Sequence, residues 1–160
     1  MVTSPTPSPH SCQTRYFGPV PYDQESILVF PDGIPAFECE KRFLILRQPI
    51  NEPLVFLQSL DTPGLCFVTL PVLAAAPEFR LRLSPEDGEA LGLPSGCPPV
   101  IGRDILCLAI LSLQEDSPPT VNLLAPIVVN LRTLRARQAI QLESGYTLRE
   151  SLPWREAACS

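Results

Sequence analysis

The stretch TVNLLAPIVVNLRTLRARQAIQL, Thr120 to Leu142, decides how this chain is read. Its apolar run, Leu123 to Val129, is broken only by Pro126 and bracketed by Asn122 and Asn130. Proline has no N–H to give a sheet ladder, so a strand here must lie at an edge or carry a bulge. From Leu134 onward two readings compete. Ala, Arg, Gln and Leu are good helix formers. The alternation of Leu134, Ala136, Gln138, Ile140 and Leu142 against Arg135, Arg137, Gln141 and Glu143 instead describes a strand with one wet face. The residues alone leave that choice open.

Upstream, Ile105 to Leu113 reads ILCLAILSL, with one polar member. Such a run is a strand buried on both faces or a buried helix, and its length and strand neighbours favour the strand. Phe79-Arg80-Leu81-Arg82-Leu83 alternates as a strand with Phe79, Leu81 and Leu83 inward. Then comes a helix signal: Ser84 as N-cap, Pro85 in the first turn, Asp87 as capping-box partner, Gly92 as the stop. Gly88 inside this short helix costs about 1 kcal/mol relative to Ala. Leu54 to Leu60 and Leu65 to Leu70 make a hairpin around Asp61-Thr62-Pro63-Gly64. Ile27 to Phe30 and Phe43 to Leu46 are strands on either side of the turn Pro31-Asp32-Gly33-Ile34-Pro35. Ser144-Gly145 is a turn, with Tyr146 to Leu148 returning as a strand. The sum is mainly β: about eight short strands and one short helix in a small antiparallel β-barrel-like single domain. The segment VTSPTPSPHS alternates Pro with Ser and Thr, Pro19 and Pro21 follow, and residues 1–23 read as a Pro-rich, disordered N-terminal tail. The folded domain is expected over 24–152, with 153–160, including Trp154, as a C-terminal tail.

At 160 residues and 45% hydrophobic content, one domain with a proper core is expected. No apolar run approaches the ~20 residues of a membrane helix. No basic segment followed by an apolar block opens the chain, so a cytoplasmic location is expected. A net charge of −5 argues against direct nucleic-acid binding and suits a basic protein partner. The cysteines, at 12, 39, 66, 97, 107 and 159, form no C-x-x-C pair, and His10 is the sole histidine. No metal site, cofactor or disulfide framework is expected from that spacing. One histidine in a tail supplies no nucleophile–base pair, and there is no Gly-rich phosphate loop. The acids Glu38 and Glu40, and Glu86, Asp87 and Glu89, sit at a turn and a helix start, where the dipole stabilises them. An enzyme is not expected, and Arg132, Arg135 and Arg137 read as a solvated turn.

Four segments carry a resemblance: Phe30-Pro31-Asp32-Gly33-Ile34-Pro35 with Phe37 and Glu38, Leu57-Gln58-Ser59-Leu60-Asp61, Phe67-Val68 with Pro71, and Thr120 to Asn130 with Gln138. In order and spacing they resemble the bacterial flagellar assembly factor FliW family, over roughly residues 26–152. Ala36 stands where that family usually has Gly, Leu70 where Asp usually precedes Pro71, and Ala136 where the last hairpin turn usually has Gly. The resemblance implies a β-barrel-like fold without a catalytic site and a strand from Leu134 to Leu142. It implies two partners, the translational repressor CsrA and flagellin, bound by a protein that is a monomer when free. In the family, FliW binds CsrA and relieves repression of flagellin translation, and unassembled flagellin displaces CsrA. Candidate partner contacts are the motif residues a fold alone does not demand: Asp32, Phe37, Gln58, Ser59, Asn122 and Asn130. The competing reading has Asn122 and Asn130 satisfying backbone groups at strand ends, Phe37 in the core and Asp32 as turn chemistry. The acidic clusters are a second candidate surface for a basic partner. The alternative function is a barrel that holds a small ligand, which a polar interior would favour and a filled apolar one would oppose.

Overall fold

The computed structural model describes residues 10–152; the tail expectations for residues 1–9 and 153–160 lie outside the described residues. In chain order the elements are β1 (His10–Thr14), β2 (Gly18–Tyr22), β3 (Leu28–Val29), β4 (Arg42–Leu46), β5 (Val55–Ser59), β6 (Cys66–Pro71), α1 (Val72–Ala75), α2 (Pro85–Leu91), β7 (Ile105–Gln114), β8 (Ser117–Asn130), β9 (Ala136–Gln138) and β10 (Glu150–Ser151). The main sheet is antiparallel, in the order β10-β8-β7-β6-β5-β4-β3, with β9 also on β8. A parallel bridge between Val29 and Arg135 brings β3 round to the start of β9 and nearly closes the barrel. The Val29 N–H donates to Leu134 O there at 3.0 Å.

The first part of ILCLAILSL, Ile105 to Ala109, is buried on both faces because of this closure, whereas Ser112 and Leu113 at its far end are exposed. Leu108, with Ile127 and Val129 across the ladder, joins Phe30, Phe43 and Leu57 inside the barrel. Ile105, Cys107, Ala109 and Val128 point to the other face, where Leu70, Leu91 and Phe79 cover them. Alternation thus feeds two apolar layers, one inside and one under α1 and α2. Pro126 sits in a bulge, one of the two settings that its sequence left open. Leu108 pairs Ile127 and Ile110 pairs Asn122, so β8 carries extra residues between them. The N–H groups of Leu123 and Leu124 go to Thr147 O instead, each at 3.1 Å.

The capping box at α2 forms as expected, with Asp87 N–H donating to Ser84 Oγ at 3.0 Å and Gly92 ending the helix at φ 71°. Gly33 takes φ 70°, and a Cβ there would lie 2.4 Å from Glu38 O, so glycine alone fits. Ala36 adopts φ 74° in the same turn, keeping a left-handed geometry without glycine. Ala136 is not at a turn at all: it is a buried residue of β9, and the left-handed turn residue is Leu134, at φ 61°.

Several expectations are corrected. Order begins well before Gln24, because β1 and β2 form a hairpin inside the supposed tail. Its prolines, Pro19 and Pro21, are two apart, so both missing N–H groups fall on one edge, and among the described residues β2 has no neighbour beyond β1. Phe79 to Leu83 keeps the expected facing but has no ladder partner and is not a strand. Directly after β6, Val72–Ala75 makes one helical turn that the sequence reading did not include. The strand expected from Leu134 to Leu142 is confined to Ala136–Gln138. Beyond it the facing inverts: Ile140 and Leu142 are exposed, while Ala139 and Gln141 are buried. The bulge is the cause, because Ala139 N–H and Gln141 N–H now bond to Pro126 O and Leu124 O, on the bulged segment itself. The last strand is Glu150–Ser151, not Tyr146 to Leu148.

Candidate functional site

The six candidate contact residues divide by burial. Gln58 and Ser59 are 0% exposed and Asn130 is 2% exposed, so none of these side chains presents itself to a partner. Each holds a turn. Gln58 Nε2 donates to Ser59 O at 3.0 Å and to Pro63 O at 3.2 Å; its Oε1 has no partner among the described residues. Ser59 Oγ accepts from the N–H groups of Asp61 and Thr62 and donates to Glu40 Oε2 at 2.7 Å. This links the Asp61–Gly64 turn to the turn after β3. Asn122 is half-buried, and its Oδ1 accepts the Ala125 N–H at 2.9 Å, which caps the bulge. Satisfying backbone groups is therefore what both asparagines do in the fold.

Asp32 and Phe37 are the exposed pair, in one turn. Phe37 is 39% exposed and meets the edge of Phe67 with ring centroids 5.4 Å apart. Asp32 faces Arg137 Nη1 at 3.3 Å. The same guanidinium pairs through Nε with Asp87 at 2.9 Å and lies 3.5 Å from Glu86. Arg137 is thus no solvated turn residue: it latches β9 to α2 and to the turn after β3. The acids at 86 and 87, with Glu40 and Glu38, serve internal bonds, and Glu89 is the member of the two clusters without an ion pair or hydrogen bond of its side chain among the described residues. Gln141, read from sequence as wet, is 1% exposed. Its Oε1 accepts Arg82 N–H at 2.7 Å and its Nε2 donates to Arg82 O at 2.9 Å. One side-chain amide thereby replaces the missing ladder partner of the 79–83 segment. Period-2 patterning could not reveal this, because a glutamine in an alternating stretch looks the same on either face.

Asn130 does the most to position a surface. Its Nδ2 donates to Leu91 O at 2.8 Å, meeting a carbonyl left over at the end of α2. Its Oδ1 accepts Arg132 N–H at 2.9 Å. On the outer side of α2 runs an open groove of about 800 Å³, walled by Leu81, Leu83, Pro85, Gly88, Leu93 and Pro98. A second hollow, of about 290 Å³, shares the 93–99 loop and reaches Arg103, Asp104, Asn130 and Arg132. Both lie outside the barrel, whose interior is filled by side chains such as Phe30, Phe43 and Ile127 at 0% exposure. A packed apolar interior opposes the small-ligand barrel.

Reactive chemistry is scarce. Burial pushes the Cys107 thiol up to about 12 and the Cys66 thiol up to about 11, so both stay protonated and unreactive at neutral pH. Among the described residues, no three His, Cys, Asp or Glu side chains group as a metal site. Among the described residues, no helix is long and apolar enough to cross a membrane.

The family model described as FliW protein matches residues 11–152. This chain belongs to the FliW family. A flagellar assembly factor FliW from Syntrophomonas wolfei is 32% identical over 136 residues, spanning 84% of this chain and 83% of that protein. The Bacillus subtilis FliW is 31% identical over 140 residues, spanning 87% of this chain and 94% of its own length. A crystal structure of the flagellar assembly factor FliW superposes with a TM-score of 0.78 at 28% identity, covering 92% of this chain and 99% of that one. The match begins at residue 11, so the β1–β2 hairpin belongs to the FliW domain.

Proposed function

We propose that this chain is a flagellar assembly factor that works by binding proteins. It takes up unassembled flagellin and, when flagellin is scarce, binds the translational repressor CsrA and relieves its repression of flagellin synthesis. The role is non-catalytic and cytoplasmic, and the protein is a monomer when free. The observation that carries this reading is the FliW family match along residues 11–152. The physical features agree with it. The hollows are open and lie outside the barrel, as suits a peptide surface better than an enclosed ligand. The net charge of −5 speeds encounter with a basic RNA-binding protein. Of the candidate contacts, Asp32 and Phe37 are offered for direct contact; Gln58, Ser59, Asn122 and Asn130 act by holding the turns.

The test is calorimetric titration of the purified protein with CsrA and, separately, with unassembled flagellin of the same organism. Binding to both, with flagellin displacing CsrA, is the expected result. Binding to flagellin alone would remove the translational role. Folded protein that binds neither would overturn the proposal.

A further inference from the structure

The β1–β2 hairpin lies over a sheet face that belongs to neither apolar layer of the barrel. Along β4 and β5, Phe43 and Leu57 point into the barrel, so Leu44 and Gln58 point out. Register sets Leu44, Gln58 and Cys66 in one row across this outer face, and Leu46, Phe56 and Val68 in the next. Gln58 is the one polar member. Leu44 is 2% exposed and Gln58 0%, yet neither belongs to the layer under α1 and α2. The hairpin reaches this region at three points. Phe17 meets Phe56, Arg15 N–H donates to Pro63 O at 2.9 Å, and the buried Cys12 has its Sγ 3.8 Å from Ser59 O.

The hairpin is a ribbon with one wet side. Cys12 and Thr14 are buried and Val20, paired with Cys12, is half-buried, while Ser11, Gln13, Pro19 and Pro21 are exposed. Among the described residues its two strands pair only with each other. Asp23 to Ser26 is the covalent link to the barrel and is exposed throughout. Its backbone bonds, Ser26 N–H to Asp23 O and Ile27 N–H to Gln24 O, are local. Swinging the hairpin about this link therefore breaks no ladder. Closure also carries a penalty. Gln58 Oε1 is buried with no hydrogen-bond partner among the described residues, and water relieves that once the hairpin lifts. The Gln58 Nε2 bonds to Ser59 O and Pro63 O lie within the turn of the barrel itself and do not need the hairpin.

We propose that β1–β2 is a strap that lifts as one unit about residues 23–26 while the barrel stays folded, uncovering the apolar outer face of β4, β5 and β6 around Gln58. That face is presented only in the open state. Opening gives up the Arg15 bond and the Phe17–Phe56 contact and hydrates the Gln58 amide oxygen.

The chain carries its own reporters of this motion. The experiment is thiol labelling of the full native chain with dithiobis(nitrobenzoate), each cysteine being followed by peptide mass spectrometry. At low reagent concentration the rate reports the population of the open form. Exposed Cys39 and Cys97 should react at once. Cys107, 1% exposed under the helices, should react only through global unfolding, with a rate that climbs steeply in urea. Cys12, 3% exposed, should fall between them, about a hundredfold or more faster than Cys107 and nearly flat in urea. Ile127→Val then separates local from global opening. Ile127 is 0% exposed inside the barrel, so losing its methylene should speed Cys107 about fivefold. It should leave the Cys12 rate unchanged, because the open and closed strap share the same core. Cys12 and Cys107 accelerating together in that variant, or sharing one urea slope, would overturn the strap. Cys12 reacting as fast as Cys39 would overturn it too, since the hairpin would then not rest on the face.

Discussion

At residue scale the chain spends its polar side chains on its own backbone. Gln141 shows how much one of them does. Arg82 has no strand neighbour, yet its N–H and C=O are both met by a single amide at 2.7 and 2.9 Å. The Gln141 Nε2 also reaches Ala139 O at 3.1 Å. Gln141→Leu keeps much of the volume and removes all three bonds. Leaving such groups unmet costs roughly 1–3 kcal/mol, so the urea midpoint should drop with the slope unchanged. An unaltered midpoint would mean that water replaces the amide and that the 79–83 segment owes Gln141 nothing. Gln58, Ser59, Asn122 and Asn130 follow the same rule. All four side chains bond to the backbone of turns or of the bulge, and Asp32 and Phe37 are the two exposed candidates.

At the scale of elements, the β1–β2 hairpin stands apart. It forms its own two-stranded sheet. One backbone hydrogen bond, Arg15 N–H to Pro63 O at 2.9 Å, ties it to the rest among the described residues. Phe17 adds an edge contact with Phe56, centroids 5.2 Å apart. Thr14 braces its turn, donating to Gly18 O at 2.7 Å and accepting the Phe17 N–H at 2.9 Å. Elements with few buried bonds open first. Amide exchange should therefore be faster in β1 and β2 than in β5, β7 and the inner half of β8, and faster still in Thr14→Ala. Equal protection in the hairpin and β7 would show that the hairpin opens only with the whole fold.

At the scale of the whole molecule, one side chain joins parts far apart in sequence. Arg137 connects β9 to the Asp32 turn and to α2. The bonds to Asp32 and Glu86 are to exposed carboxylates and contribute little. The one to Asp87 differs, because that side chain is only 10% exposed and also serves as the capping-box acid, accepting Ser84 N–H. Arg137→Met would leave a nearly buried carboxylate without its cation. A loss of roughly 1.5–3 kcal/mol in chemical unfolding is expected, against little for Asp32→Ala. Similar losses in the two variants would place the latch at the surface turn instead of at α2.

The sequence by itself determined the local elements. The α2 capping box, the left-handed Gly33, the β5–β6 hairpin and the bulge at Pro126 were all legible, because each depends on a few neighbouring residues and their backbone preferences. The family was legible for the same reason, from short motifs in order. What the tertiary structure alone decided depends on partners distant in the chain. Pro19 and Pro21 argued against a strand until the pairing placed both on an open edge. Alternation in 134–142 named the wrong residues beyond Gln138, because the β8 bulge shifts where those amides bond. Asn130 read from sequence either as a contact or as a group satisfying backbone, and its bond to the Leu91 carbonyl could not be foreseen because that carbonyl lies 39 positions away. The groove beside α2 was invisible for the same physical reason: its walls come from separate segments that only folding brings together.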